Sequence, residues 1–585
     1  MTDHAETLAG CSNVSLLGAL QVGKSSLAAQ QAGIQVTGNN IANAGTAGYT
    51  RQIARLTPNN PIEIQPGSFV GTGVGLAAIE RQVNAALDES FRDATSNQNA
   101  ATILDNYLGR LETTFGALSE NDLSTRVASF FNSFSTLANN PADAAQRSVV
   151  IQGGVSLASY LKDLRSKVFG IRQDIEAQIG AQATKADTLL KGIAQINQQI
   201  SSAEAGGGQA GALRDQRDQL LNQLSELMDT RVIEQPNGVV NVLVGSVPVV
   251  QGDVARGITT KQSYDATGAM VTTELVFADN GDPVPASTGK IGALVNARVT
   301  YITPALETVD NYAAALIQTV NAIHTQGQGT KGFSTVTGSV QVLDATAALN
   351  NTTTNGLAFS PTNGTFNLYI KDNTTGLITT KQINVNLSGV GTQTTLNSLV
   401  ASINTAGGGN VAASVDAAGR LAIVSNNSNV TFTFGEDTSG ALASLGVNTF
   451  FTGKDALSID VSSILKTNTD YLATARENIA GSNRNAQALA LAGGVAVTDL
   501  GGKSLTDYYT NFIGGLAASA RNAADDVTAQ GVIRDTLFAQ REAISGVSLD
   551  EEAINLTKYQ RAFQGTARFL NVVDEMMQVV LGLVR

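Results

Sequence analysis

Cysteine, histidine and tryptophan are nearly missing from these 585 residues: one cysteine, two histidines and no tryptophan. With Cys11 alone there can be no intrachain disulfide. With His4 and His324 as the only imidazoles, neither a Cys/His zinc cluster nor a Ser/His/Asp set can be assembled, so no enzymatic role and no cofactor is expected. Positive charge is also short. Lys and Arg total 37 against 49 Asp and Glu, a formal charge of -12, which withholds the attraction that nucleic acid or an anionic membrane needs. No run of eighteen apolar residues occurs, and the opening MTDHAETLAGCSN has no basic region followed by an apolar one. The reading therefore expects no Sec-type signal and no membrane span.

What is present is a period of seven. Leu549, Leu556, Phe563, Leu570, Met577 and Val584 repeat it at one end of the chain, and Leu20, Leu27, Ile34 and Ile41 at the other. A strict heptad keeps one seam facing a neighbour, so the terminal helices are expected to form a coiled coil. A second flank, Tyr559, Val573 and Val580, is expected to face other molecules. Residues 1–13 read as disordered, with Ser15 as the helix N-cap and an end near Gly45 or Gly48. Within that helix GALQVGKS, Gly18 to Ser25, satisfies the phosphate-loop pattern. Such a loop must follow a buried strand, and only Val14 to Leu17 is available, while the heptad runs straight through. A nucleotide-binding protein is kept as a remote alternative to a solvated Lys24 on a continuous helix.

Between the termini the period changes twice. Apolar residues at helical spacing run from Phe91 to Leu137, and after Pro141 a long helix reverses at Gly206 to Gly211 into LRDQRDQLLNQLSELM, a helical hairpin whose Asp215, Arg217 and Asp218 read as a solvated face. At Arg231 the period drops to two, with a turn at Asn237-Gly238. His324 closes a further helix, where a cation would complement the dipole. Alternating strands then return, broken by a helix at Leu396 to Asn404. The expected fold is mainly α with inserted β domains, an elongated multidomain chain with a helical-bundle core and two β-rich outer domains. Its boundaries are 14–50 with 548–585 for the terminal coiled coil; 51–230, 302–327 and 470–547 for the helical core; 231–300 for a small β domain; and 330–469 for an inserted outer domain.

The stretch TGNNIANAGTAGYTRQ, with Asn39, Asn40, Asn43, Thr46, Gly48, Tyr49 and Arg51, resembles the N-terminal signature of the flagellar rod, hook and hook-associated proteins. Ala47 stands where that family usually has proline, which relaxes the turn. Physically, Asn43 and Gly45 can end a helix, Gly48 admits positive φ, and Tyr49 can anchor the exit strand. SLDEE, Tyr559-Gln560 and Asp574-Glu575-Met576 resemble the C-terminal signature of the same proteins, and Ser548 with Glu551 has capping-box spacing. FVGTGVGLAAIERQVNAAL and LRDQRDQLLNQLS are similar to the hook-associated protein 1 branch.

That resemblance implies a structural subunit at the hook-filament junction, exported unfolded by the flagellar type III apparatus without a cleaved signal and located outside the cell. The implied partners are further copies of itself in a ring, the hook protein, a second hook-associated protein, an export chaperone and the export apparatus. The implied assembly surfaces are Leu20, Leu27, Ile34, Ile41, Asn39, Asn40, Asn43, Tyr49 and Arg51 on one terminus. On the other they are Leu549, Leu556, Tyr559, Phe563, Leu570, Val573, Met577, Val580 and Val584. Hook or distal rod proteins, which share both signatures, are the alternative. A surface adhesin with a coiled-coil stalk is another.

Overall fold

The computed structural model describes residues 3–65, 67–116, 122–264, 270–479 and 481–583. Helix accounts for 56 % of the chain, so the mainly helical class holds, and the strands are gathered in small sheets. Helix α1 (Asp3–Asn43) begins twelve positions before the expected Ser15 cap, because nothing in residues 3–14 breaks a helix. It ends at Asn43, where Thr46 N–H turns back to the Asn43 carbonyl at 2.9 Å. An arm of antiparallel ribbon follows, β1 (Gln52–Pro58), β2 (Ile62–Gln65), β3 (Ser68–Val70) and β4 (Val74–Arg81), with β1 paired to β4 and β2 to β3.

Helices α2 (Ala85–Phe115), α3 (Leu123–Asn139), α4 (Ala144–Glu204) and α5 (Gly211–Ser225) come next. Asp143 caps α4 by accepting from the N–H groups of Ala145 and Gln146, and positive φ at Gly207 and Gly208 reverses the chain into α5. Strands β5 (Arg231–Glu234), β6 (Val240–Val244), β7 (Val247–Gln251) and β8 (Val254–Ala255) form one sheet, and β9 (Ile258–Tyr264) pairs with β10 (Met270–Phe277). Helix α6 (Gly289–Asn296) passes through a π-helical stretch (Ala297–Ile302) into α7 (Thr303–His324).

The remaining elements are β11 (Thr335–Thr337), α8 (Thr352–Asn355), β12 (Gly364–Asp372), β13 (Ile378–Val385), α9 (Leu396–Gly407), β14 (Val411–Val415), β15 (Leu421–Ser425), β16 (Val430–Gly435), α10 (Ala441–Leu445), β17 (Phe451–Thr452), β18 (Asp460–Val461), α11 (Ser463–Thr467), α12 (Arg484–Leu491), α13 (Leu505–Ser545) and α14 (Leu549–Leu583).

Two compact units result. The first comprises Met1–Asp105, Ile175–Asn296 and Ala523–Arg585. In its core the α4–α5 hairpin buries Leu190, Ile193, Leu221 and Leu224 against Val240, Val242 and Val250 of the four-stranded sheet. Alternation puts every second residue of β6 inward, which is why the period of two was readable there.

The second unit comprises Asn106–Asp174 and Ala297–Asn522. Its β-rich part packs the β13-β12-β16 and β11-β15-β14 sheets with Leu396, Leu399 and Ile403 of α9 around Phe366, Phe432 and Phe434. His324 lies at the end of α7 as expected, but it is no cationic cap. The ring is fully buried, its Nδ1 donates to the Asn448 carbonyl at 2.8 Å, and its Nε2 accepts from Ala473 N–H at 3.1 Å. Burial lowers its pKa to about 4, so the ring is neutral and serves as a core crosslink.

Candidate assembly interface

In the first unit α1 lies against α14, and small residues decide how closely. A Cβ at Gly23 would sit inside the Leu570 side chain, and one at Gly33 would lie 2.7 Å from the Tyr559 ring. The hydroxyls of Ser26 and Thr566 are 3.1 Å apart, and Asn40 Nδ2 donates to Glu552 Oε2 at 2.9 Å. Partners descend along α14 as they ascend along α1, which defines an antiparallel pair in one register. Gly23, Ala29, Gly33, Val36, Thr37 and Asn40 form the buried centre of α1, flanked by the half-buried Leu20, Leu27, Ile34 and Ile41.

On α14 only Glu552 and Val573 are fully buried. Leu556, Tyr559, Phe563, Leu570, Met577 and Val580 are half-buried, Leu549 is exposed, and Val584 lies outside the described residues. The flank expected to face other molecules is therefore turned inward: Val573 is buried within the chain and Tyr559 fills the Gly33 notch. The seam takes up two adjacent heptad tracks because glycines opposite it admit side chains from both. Among the apolar residues of α14 left uncovered, Phe569, Val572, Met576, Val579 and Leu583 are spaced three or four apart along one face.

A polar cluster closes the near end of this pair. Asn40, 1 % exposed, uses every hydrogen-bonding position it has. Its Oδ1 accepts from the Tyr49 hydroxyl at 2.8 Å and Gln52 N–H at 3.0 Å, and its Nδ2 donates to the Gln52 carbonyl at 2.8 Å besides Glu552. Arg51 Nε and Nη2 both lie 2.8 Å from Glu552 Oε1, while Nη1 reaches Glu551 at 2.8 Å. Glu551 thus turns to Arg51, and only half of the expected capping box forms, Ser548 Oγ accepting from Glu551 N–H at 3.4 Å. Asn39 meets this cluster at its edge, its Nδ2 donating to the Tyr49 hydroxyl at 3.3 Å, and Asn43 lies beyond it, its Nδ2 donating to the Asn39 carbonyl at 2.9 Å. The Tyr49 phenol is pushed up to about 12 by burial and by the nearby Asp215 and Glu552 carboxylates, so it stays a donor.

The hairpin enters from the other side. Asp215 accepts from Thr50 N–H at 3.3 Å and lies 2.9 Å from Arg81 Nε, with Asp218 also on Arg81. Gln219 donates to the Ala47 carbonyl at 2.7 Å, and its side chain occupies the space beside Gly48 (φ +77°), so this position needs glycine for conformation and for room.

The expectation of a solvated Asp215-Arg217-Asp218 face is corrected. Asp215 is 6 % and Arg217 2 % exposed, and Arg217 Nη1 donates to the Gly238 carbonyl at 2.6 Å. Burial raises the Asp215 pKa against the pull of Arg81. The helix looked solvated because its charged face packs on the chain leaving α1, 165 residues away in sequence, and on the β5–β6 turn, 21 residues away. Arg81, Asp215, Glu552, Gln219, Gly23 and Gly33 were not singled out as site residues; the signal available was that Arg81, Asp215, Gln219 and Glu552 lie inside the strings that resemble the flagellar proteins.

The phosphate-loop pattern does not form a loop. Gly18 to Ser25 is uninterrupted helix with Lys24 exposed, and the supposed loop glycine Gly23 is the notch for Leu570. Among the described residues there is no cluster of metal-ligating side chains, and no helix is long and apolar enough to cross a membrane.

Both helices of this pair match families of flagellar proteins. Residues 20–50 match the family described as flagella basal body rod protein, and 540–583 the flagellar basal body rod FlgEFG protein C-terminal family. Residues 108–338 match the flagellar hook-associated protein FlgK helical domain. Flagellar hook-associated protein 1 of Escherichia coli K12 is 26 % identical over 580 residues, covering 96 % of this chain and 98 % of that protein. That of Bacillus subtilis 168 is 30 % identical over 228 residues, 37 % of this chain and 44 % of its own. Along nearly its whole length the chain is similar to flagellar hook-associated protein 1, a family of structural proteins and not enzymes. The flagellar hook junction protein FlgK from Burkholderia pseudomallei aligns with a TM-score of 0.51 over 78 % of this chain and all of its own, at 15 % identity, a likeness of fold.

Proposed function

We propose that the chain is a structural subunit of the bacterial flagellum that forms the hook-filament junction by polymerising through its paired terminal helices. One observation carries this: after α1 has covered one side of α14, an apolar stripe of Phe569, Val572, Met576, Val579 and Leu583 remains in water, more than a monomer has use for. The helices act as a coiled coil completed by neighbouring subunits in a ring, with the β-rich segments as outer domains. The Asn40–Glu552–Arg51 cluster fixes the register, since a heptad seam alone would tolerate a slip of seven residues and a buried polar group would not. Hook protein and a second hook-associated protein are its axial neighbours, and it reaches them through type III export with a chaperone.

Electron microscopy of a deletion strain tests the assignment. Hooks without filaments support it, and loss of hooks would move the chain to the hook or distal rod class, whose signatures its termini share. Met576→Asp or Val579→Asp, both on the exposed stripe, leave the purified monomer folded and abolish incorporation. Normal junctions in either strain would show that the stripe is not the assembly surface.

A further inference from the structure

Two of the exposed apolar patches in the first unit matter here. One is the stripe on α14. The other is the end of the arm, where Ile62, Phe69 and Val70 are 61 %, 63 % and 51 % exposed. Ile62 faces Val70 across the β2–β3 ribbon, and Phe69 faces Glu63. A two-stranded ribbon is marginal by itself in water, so three large apolar side chains at its tip call for a cover.

The neck of the arm is fixed on α1: Gly73 abuts Ser25 and Val22 so closely that no Cβ fits. The next residue on that helix, Gly23, receives Leu570. The neck of the arm and the start of the α14 stripe therefore lie at one level of the terminal pair, and neither patch covers the other within the chain. Two different uncovered patches on one subunit are what a head-to-tail contact between identical subunits uses, and such a contact repeats into a ring where the rotation closes and a helix where it does not. Charge agrees. Glu63 is exposed at the tip, its Oε1 accepting from Gly67 N–H at 2.8 Å, and Arg568, one turn before Val572 on the striped face, makes no ion pair among the described residues.

We infer that the arm tip of one copy docks on the α14 stripe of the next, with Phe69 and Val70 against Phe569 and Val572 and Glu63 paired to Arg568. This rests on the assembly reading above and names the surface that covers the stripe.

Charge reversal tests the pair in cells that lack the native gene and express the full chain. Glu63→Arg and Arg568→Glu are each expected to lower the number of filament-bearing hooks by about tenfold or more, and the double variant to restore it to within about threefold, because like charges repel and swapped ones attract. In a Cys11→Ser background, Phe69→Cys with Val572→Cys should give a ladder of crosslinked multimers in isolated hook-basal bodies, and either cysteine alone should not. Single reversals without effect, a double variant no better than the singles, or junctions that contain the protein without a 69–572 crosslink would each overturn the docking while leaving the assembly reading standing. Absence of the unmodified protein from isolated junctions would overturn both.

Discussion

Strand β12 and helix α14 handle apolar side chains in opposite ways. In nine residues β12 buries Phe366, Leu368, Tyr369 and Ile370, and it is joined from β16 by Phe432 and Phe434, both at 0 % exposure. In thirty-five residues α14 fully buries one apolar side chain, Val573, together with one carboxylate, Glu552. The β-rich segment completes its own core, as an element exposed to varied surroundings must. The terminal pair leaves its core half made, and an unsupported helix pair of that kind is marginal in water because most helical stability comes from tertiary packing. Self-sufficiency and incompleteness are thus written into two parts of one chain by how residues of similar hydrophobicity are distributed.

The largest effects should separate those two parts. Phe432→Ala removes a fully buried ring from the β-rich core and is expected to cost about 3–5 kcal/mol. Limited proteolysis should then open residues 335–470 while the termini cut as in the parent chain. Glu552→Ala leaves the Arg51 guanidinium and the Asn40 amide without their carboxylate, a loss of comparable size, about 3–5 kcal/mol, but confined to the terminal pair. Hydrogen exchange of α14 amides should rise toward that of an unfolded peptide, with the β-rich segment unchanged. Should both variants loosen both regions alike, the contrast between them is wrong.

How much of this was legible in the sequence follows from range. Heptads, period-two runs, the Gly206–Gly211 reversal and the Asn237-Gly238 turn depend on neighbours within a few residues, and the helices and strands stand close to where those signals put them. Which face of a helix is buried is set by partners far along the chain. Tyr559 turns inward because Gly33 on α1 leaves room, and Asp215 is buried because Thr50 and Arg81 reach it; no local pattern in α14 or α5 records either fact. The Asn-rich and SLDEE strings marked the right neighbourhood through family resemblance. That Glu552, rather than Glu551, sits at its centre needed coordinates.

A titration should sharpen the comparison from the self-sufficient side. The unfolded imidazole of His324 takes up a proton near its ordinary 6.5, while the buried ring resists until about 4. The unfolded state therefore binds more protons between those values. The contribution is complete above about pH 6.5 and is lost as pH falls toward 4, amounting to about 3 kcal/mol for the second unit. Thermal unfolding followed from pH 7 to pH 4 should show that loss in the parent chain and a clearly shallower slope in His324→Gln. An unchanged slope would mean that other groups carry the acid sensitivity.

The smallest test concerns two glycines five residues apart in α1. Each Gly→Ala change in a helix gains about 0.5–1 kcal/mol from backbone entropy. At Gly38 nothing lies within 4 Å of the new methyl group, so that gain should appear in full. At Gly33 the methyl would lie 2.7 Å from the Tyr559 ring, and a flat aromatic wedged between two helices has no flexible end to swing aside, so overpacking of about 1–3 kcal/mol should outweigh the gain. The two substitutions are thus expected to move the α14 amide protection in opposite directions, Gly38→Ala up and Gly33→Ala down. Because the helix-propensity gain is common to both, the difference between them isolates the contact itself. If Gly33→Ala protects α14 as well as Gly38→Ala does, the terminal helices do not meet at this register, and the half-made core that distinguishes them from the β-rich segment is packed in some other way.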